Sequence, residues 1–362
     1  MSGFRPFLRR GEPAPWFRAP TIGGARDYSF HTVAGRHVLM LFLGTASRPE
    51  AAAALDLVAQ HRVLFDDIGA CFFGVTCDPA DAAEGRVAQS LPGIRFFLDA
   101  DVTVSRLYGA ADGEGTYRPF WLLLDPTLRS LALVPLDRGA EVIAALGAAL
   151  ARPRGDQWAP VLLVPGVFEP DLGRRLIALY EEHGGEPSGF MRQVGGKTVL
   201  LEDPQHKVRR DCPVEDPDLR ALLLDRVRTS VAPMVQRAFQ FEATRMERYL
   251  IGCYDAETGG HFRPHRDNTT SGTAHRRFAV SINLNAEEYE GGDLRFPEFG
   301  TRTYRPPTGG AVVFSCSLLH EATPVTRGRR YAFLPFLYDE AAARLREANN
   351  PHLAEGLGEY RA

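Results

Sequence analysis

A chain of 362 residues, 44% hydrophobic and 24% charged with a formal net charge of −3, has the composition of a globular protein and the length of two or three domains, each able to bury its own core. The near-neutral balance argues against a general electrostatic role on nucleic acid or an anionic membrane and leaves room only for a local basic groove. The five cysteines (Cys71, Cys77, Cys212, Cys253, Cys316) are scattered and form no CxxC, the opening MSGFRPFLRRGEPAPWF lacks an apolar leader core, and no apolar run is long enough for a membrane span. Reduced thiols, a cytoplasmic setting, and neither nucleic acid nor membrane as partner are therefore expected.

In chain order, RHVLMLFLG (36–44) reads as a buried strand. SRPEAAAALDLVAQHRVLFDDIG reads as a helix with Pro49 in its first turn and Gly69 beyond its end. ACFFGVTCD (70–78) is a second strand, PADAAEGRVAQSL a helical stretch, and IRFFLDAD a third strand followed by a short helix in VSRLYGA. RPFWLLLDP (118–126) and SLALVPL (130–136) form a hairpin, and GAEVIAALGAALA closes the unit as a helix. Strand and helix alternate as in an α/β layered domain. A boundary falls in ALARPRGDQWAP (149–160), where apolar helix gives way to Pro, Gly and polar residues. Beyond it come the strand VLLVPGVF and a helix starting near Pro170 and ending at Gly184–Gly185. A second long helix, DPDLRALLLDRVRTSVAPMVQRAFQF, is expected to kink at Pro233. From about residue 245 short strands follow closely, which predicts a barrel or double sheet flanked by the preceding helices.

Residues 1–152 resemble the peroxiredoxin and thioredoxin-like group. GEPAPWF matches its entry segment, RHVLMLFLGTASRPEAAAALDLV its strand-loop-helix, and LYGA and YRPFWLLLDP later elements, with Pro119 at the fold's cis-proline position. The resemblance fails where the chemistry lies. Aligned on Pro49, the reactive-cysteine position falls on Ala51, and its assisting positions fall near Gly44 and Arg48. No thiol stands at the helix N-terminus, where the dipole would acidify it. Cys71 and Cys77, six residues apart on one strand, are separated by roughly 20 Å, beyond disulfide reach. The first domain is thus expected to be redox-silent, open to roles in partner binding, in shaping a substrate entrance or in homodimerisation.

The second part carries GGHFRPHRDN (259–268). In an extended strand His265 and Asp267 project to one face. His320, in SCSLLHEATPV, ends an apolar strand where an imidazole needs a partner. Two histidines and one carboxylate make the set that holds Fe(II) on one face and leaves positions open. Arg330, ten residues after His320, opens the next strand, where a buried guanidinium needs an anion such as a carboxylate.

On HFRPHRD, EEYEGGDLRF and PPTGGAVVFSCSLLHEATPVTRGRRYAF, in that order, residues 158–345 resemble the prolyl-4-hydroxylase-type branch of the iron- and 2-oxoglutarate-dependent oxygenases. The resemblance implies a double-stranded β-helix (jelly-roll) domain with flanking helices. It implies His265, Asp267 and His320 as iron ligands and Arg330 as the grip on the far carboxylate of 2-oxoglutarate. Tyr254, or its neighbour Tyr249, would lie beside the co-substrate, and Asn283 would occupy a helper position where some relatives carry tyrosine. Strand alternation allows only one of Arg329 and Arg330 to face inward. The intact Asp267 disfavours halogenase chemistry. His261, four before His265, would share its face on a regular strand and sit at the cavity mouth, and His275 reads as a loop residue. The implied cofactors are Fe(II), 2-oxoglutarate and O2, with ascorbate as a candidate reductant. The implied reaction releases succinate and CO2 and hydroxylates a C–H bond of a peptidyl substrate, prolyl among the options, or of a small molecule. A non-catalytic iron- and 2-oxoglutarate-binding sensor or scaffold is the alternative; a thiol peroxidase is disfavoured by Ala51.

Overall fold

The strand His37–Gly44 is buried along nearly its whole length, as a strand covered on both faces must be. It is the centre of a five-stranded sheet ordered Ile94–Leu98, Ala70–Thr76, His37–Gly44, Phe120–Leu124, Ser130–Pro135. The first three strands are parallel and the last two antiparallel. One face packs Leu39, Leu41, Phe72 and Trp121 against the helices Pro49–Gln60 and Gly139–Ala151 through Val58, Val142 and Leu146. The other is aromatic, with Phe73 stacked on Phe97 and Phe42 on Phe120. This is the thioredoxin-like arrangement expected. Among residues 8–24, 26–152, 155 and 157–361, which this computed structural model describes, the contacts divide the chain into two units, 1–156 with 297–300, and 157–296 with 301–362.

Three expectations change. The helix after the second strand spans only Pro79–Ala83, because Gly85 adopts a positive φ of 69° that ends the turn. The long helix of the second unit is two, Pro217–Ser230 and Ala232–Phe239; Pro233 sits in the first turn of the second, where its missing N–H does no harm. The cis peptide bond among the described residues is Leu91–Pro92, not the bond before Pro119.

The second unit is the jelly roll. Its larger sheet runs Arg245–Glu247, Phe336–Tyr338, Phe278–Asn283, Arg329–Phe333, Leu250–Asp255, Arg210–Pro213, Glu186–Pro187, with Ala311–Ser315 joined to Phe278–Asn283. The smaller runs Lys207–Val208, His261–His265, His320–Ala322, Leu294–Arg295, Thr303–Tyr304. The helix Pro170–His183 and the two that follow bury Leu176, Leu223 and Val235 against Ile251, Ile282 and Phe333. With those strand residues facing the helices, alternation turns Tyr254, Ser281, Asn283 and Arg330 to the opposite face.

Candidate metal centre and co-substrate pocket

His265 ends the strand His261–His265 and pairs with His320, the first residue of His320–Ala322. Asp267 lies two residues further on, in a turn held by its N–H donating to the Cys316 carbonyl at 3.0 Å. One ligand atom from each of the three lies within 4.8 Å of the others. His265 Nε2 is 3.5 Å from Asp267 Oδ1, and His320 Nε2 is 3.3 Å from Asp267 Oδ2. Each imidazole turns its Nδ1 to a backbone carbonyl, His265 to Arg263 at 2.8 Å and His320 to Leu318 at 3.0 Å. Those contacts favour the Nδ1–H tautomer and leave both Nε2 lone pairs facing Asp267, as in metal-binding histidines.

The electrostatics agree. Burial, with His320 nearby, pushes the His265 imidazole down to about 4. Burial alone would raise Asp267, but His320 and His265 outweigh it and hold the carboxyl well below its usual range. A neutral imidazole at His265 and an ionised carboxylate at Asp267 are the forms that ligate. Phe262 stacks on His265 at a centroid distance of 3.5 Å and Phe314 lies 4.5 Å from His320, so apolar rings back both ligands. Two nitrogens and one carboxylate fit a first-row divalent ion with open positions, rather than a closed four-ligand structural site.

The strand carrying His265 is not regular. Its register with His320–Ala322 shifts between Phe262 and His265, where Pro264 has no N–H to donate. The irregularity brings Phe262 to the His265 side and turns His261 away. His261 instead contacts the Gly259 carbonyl at 2.7 Å and the Gln205 carbonyl at 3.4 Å. The same-face expectation for His261 is therefore corrected. His275 is no simple loop residue either: it is buried beside Glu247 at 3.1 Å, a carboxylate shared with Arg276 and Arg346.

Arg330 is 2% exposed. Its NH1 donates to the Gly292 carbonyl at 2.7 Å and its NH2 to Ser281 Oγ at 2.9 Å, while Nε has no partner. No carboxylate lies within ion-pair distance of it among the described residues. Arg329, on the opposite face, is half exposed and paired with Asp255 at 2.7 Å. Tyr254 is the strand partner of Arg330, and its ring lies 5.3 Å below the guanidinium. Asn283 is buried but gives its amide to the Pro306 carbonyl at 2.8 Å. The side chain that reaches Arg330 is Ser281, two residues earlier on the same face. Sequence reading passed over Ser281, although the period of two that favours Arg330 over Arg329 also offers it.

In the first unit, Ala51 is buried and the loop before its helix is held by a carboxylate. Asp81 accepts from the Ala46 N–H at 2.8 Å, from Thr76 Oγ1 at 2.5 Å and from Arg86 Nε at 2.7 Å. Burial pushes the Cys71 thiol up to about 12 and raises that of Cys77, so neither is an activated thiolate.

Residues 249–338 match the family model described as the 2OG-Fe(II) oxygenase superfamily. A PKHD-type hydroxylase of Pseudomonas fluorescens strain Pf-5 is 41% identical over 91 residues, 23% of this chain and 39% of that protein. The chain thus spans well under half the length of that relative. A prolyl hydroxylase of Trichoplax adhaerens, solved with a hypoxia inducible factor peptide, aligns over 51% of this chain and 86% of its own, at 16% identity and a TM-score of 0.40. The peroxidoxin BcpB of Mycobacterium tuberculosis aligns over 41% of this chain and 99% of its own, at 20% identity and a TM-score of 0.34. The segment that resembles the 2-oxoglutarate- and iron-dependent oxygenases contains all of His265, Asp267, His320, Tyr254, Asn283 and Arg330.

Proposed function

We propose that the chain is a 2-oxoglutarate-dependent hydroxylase whose second unit binds Fe(II) through His265, Asp267 and His320. The observation that carries this reading is Arg330: a guanidinium buried in the jelly-roll interior with two neutral acceptors and, among the described residues, no acid within ion-pair distance. A buried cation left without a counter-ion awaits one, and a dicarboxylate whose far end meets Arg330 supplies it. When bound, iron with 2-oxoglutarate supplies O2-driven oxidative decarboxylation, giving succinate and CO2 and hydroxylating a C–H bond.

The chain's own residues bind and orient. Arg330 and Ser281 receive the far carboxylate, Tyr254 walls it, and Asn283 braces the strand by its bond to Pro306. Phe262 and Phe314 keep water from the ligand rings, which strengthens every polar contact inside. The substrate class in this reading is a peptidyl residue, proline among them, or a small molecule.

The test is succinate formation from 2-oxoglutarate with Fe(II), O2 and ascorbate, across a panel of peptides and metabolites, read with the mass gain of one oxygen. Tight binding of iron and 2-oxoglutarate without succinate for any member would favour the sensor reading. Failure to bind 2-oxoglutarate at all would end the proposal.

A further inference from the structure

The segment EEYEGGDLRF (287–296) supplies more to Arg330 than the Gly292 carbonyl. Gly291 and Gly292 both adopt positive φ, 70° and 68°. A Cβ on Gly292 would stand 2.8 Å from Val325 Cγ2, 3.3 Å from Arg330 Cδ and 3.5 Å from the ring of Tyr289, so no larger residue fits where these three meet. Tyr289 is 3% exposed and joins Tyr254, Phe262, Ala322 and Val325 in one buried cluster. Arg305 fixes its place: the guanidinium lies 4.4 Å over the Tyr289 ring and donates to the Tyr289 carbonyl at 2.8 Å.

The hydroxyl of Tyr289 makes no hydrogen bond among the described residues, and neither does Nε of Arg330. Burial raises the Tyr289 pKa and outweighs the pull of Arg330 and Arg305, so the phenol keeps its proton. A guanidinium only donates. Any approach to Arg330 therefore uses the lone pairs of the phenol oxygen and leaves its proton without an acceptor. The acid on the same segment, Asp293, is taken by Arg305 at 2.5 Å. Tyr254 differs, since its hydroxyl accepts from Arg209 NH1 at 3.4 Å. A buried donor with no acceptor is costly, and an anion entering beside Arg330 would remove that cost.

We infer that Tyr289 is a co-substrate-binding residue whose O–H donates to the far carboxylate of 2-oxoglutarate, forming with Arg330 and Ser281 one set of donors around one anion. The inference rests on the proposed hydroxylase reading. A carboxylate has two oxygens and about four lone-pair sites, enough for the guanidinium and both hydroxyls. The Gly291–Gly292 turn then has two tasks: its carbonyl holds Arg330 NH1, and its lack of side chains lets the Tyr289 ring lie against the same arginine.

Anaerobic calorimetry of the Fe(II)-loaded full chain with 2-oxoglutarate comes first. A parent protein that does not bind it ends the hydroxylase reading, and this inference with it. Tyr289→Phe then removes one oxygen and keeps the ring that Arg305 covers. The variant should retain Fe(II) and bind 2-oxoglutarate roughly 10- to 100-fold more weakly, the scale of a hydrogen bond to a charged group. Its affinity for oxalate, which chelates iron but has no far carboxylate, should match the parent's. Without co-substrate it should melt at the parent's temperature or above, because the hydroxyl it loses had no partner. Unchanged 2-oxoglutarate affinity, an equal loss for oxalate, or a clear fall in the melting temperature of the unliganded variant would each overturn the assignment while leaving the hydroxylase reading in place.

Discussion

Replacing Arg330 by methionine separates a group held for a ligand from a group held for the fold. In the free protein the guanidinium makes two hydrogen bonds to neutral acceptors, the Gly292 carbonyl and Ser281 Oγ, each worth about 1 kcal/mol net. Against that stands the burial of a full charge with no counter-ion, which costs several kcal/mol. Methionine removes both, so the unliganded Arg330→Met protein should unfold at the same temperature as the parent or higher. With 2-oxoglutarate present the sign reverses. A desolvated charge pair is worth about 2–5 kcal/mol, so 2-oxoglutarate should bind about 30-fold to several thousand-fold more weakly. The parent at a hundredfold excess over Kd gains about 2.7 kcal/mol of stability from its ligand; the variant should gain almost none. Thermal unfolding with and without 2-oxoglutarate, beside an anaerobic titration of the iron-loaded protein, gives both numbers. A variant that binds 2-oxoglutarate as the parent does, or that loses several kcal/mol without it, would refute the argument.

Other outcomes follow from the same contacts. His265→Ala, His320→Ala and Asp267→Ala should each abolish stoichiometric Fe(II) retention, measured by metal analysis after desalting, while circular dichroism stays unchanged; retained iron would show that the metal sits elsewhere. Asp81→Ala should destabilise the first unit by about 2–3 kcal/mol, because the Ala46 N–H and Thr76 hydroxyl lose their buried acceptor; a urea midpoint unmoved for that unit would contradict it. Asp67 tests the pH dependence. Burial raises its pKa, but the paired bonds from Arg95 and the Gly93 N–H outweigh it, so the folded value lies below the ordinary aspartate value of 3.8. The contribution is then complete above 3.8 and disappears as pH falls through the folded value. Asp67→Asn should cost about 1 kcal/mol at neutral pH, with the gap closing in acid; a gap that is constant with pH would point to packing instead.

The cluster of His265, Asp267 and His320 was legible because its chemistry is carried by residue type and order. An HxD followed by a histidine after an apolar strand asks for a metal whatever the exact backbone path. The inward choice of Arg330 over Arg329 was legible because the Arg329–Phe333 strand is regular. His261 departs for the opposite reason: a regular strand would carry it to the His265 face, and the ladder shifts between Phe262 and His265. Ser281 left no motif, because its importance lies in the hydrogen bond it accepts from Arg330, a neighbour that strand pairing brings beside it from 49 residues away. Asp81 was hidden in the same way. The sequence exposes the missing thiol at Ala51, but not the carboxylate that holds the loop ahead of its helix.

The irregular strand at Pro264 also fixes how this centre can fail. If a residue with an N–H at that position let the ladder regularise, His261 and His265 would come to share one face and Phe262 would turn to the other, taking its ring off the His265 imidazole. Damage there would spare the sheet and remove the apolar backing of one of the three clustered side chains.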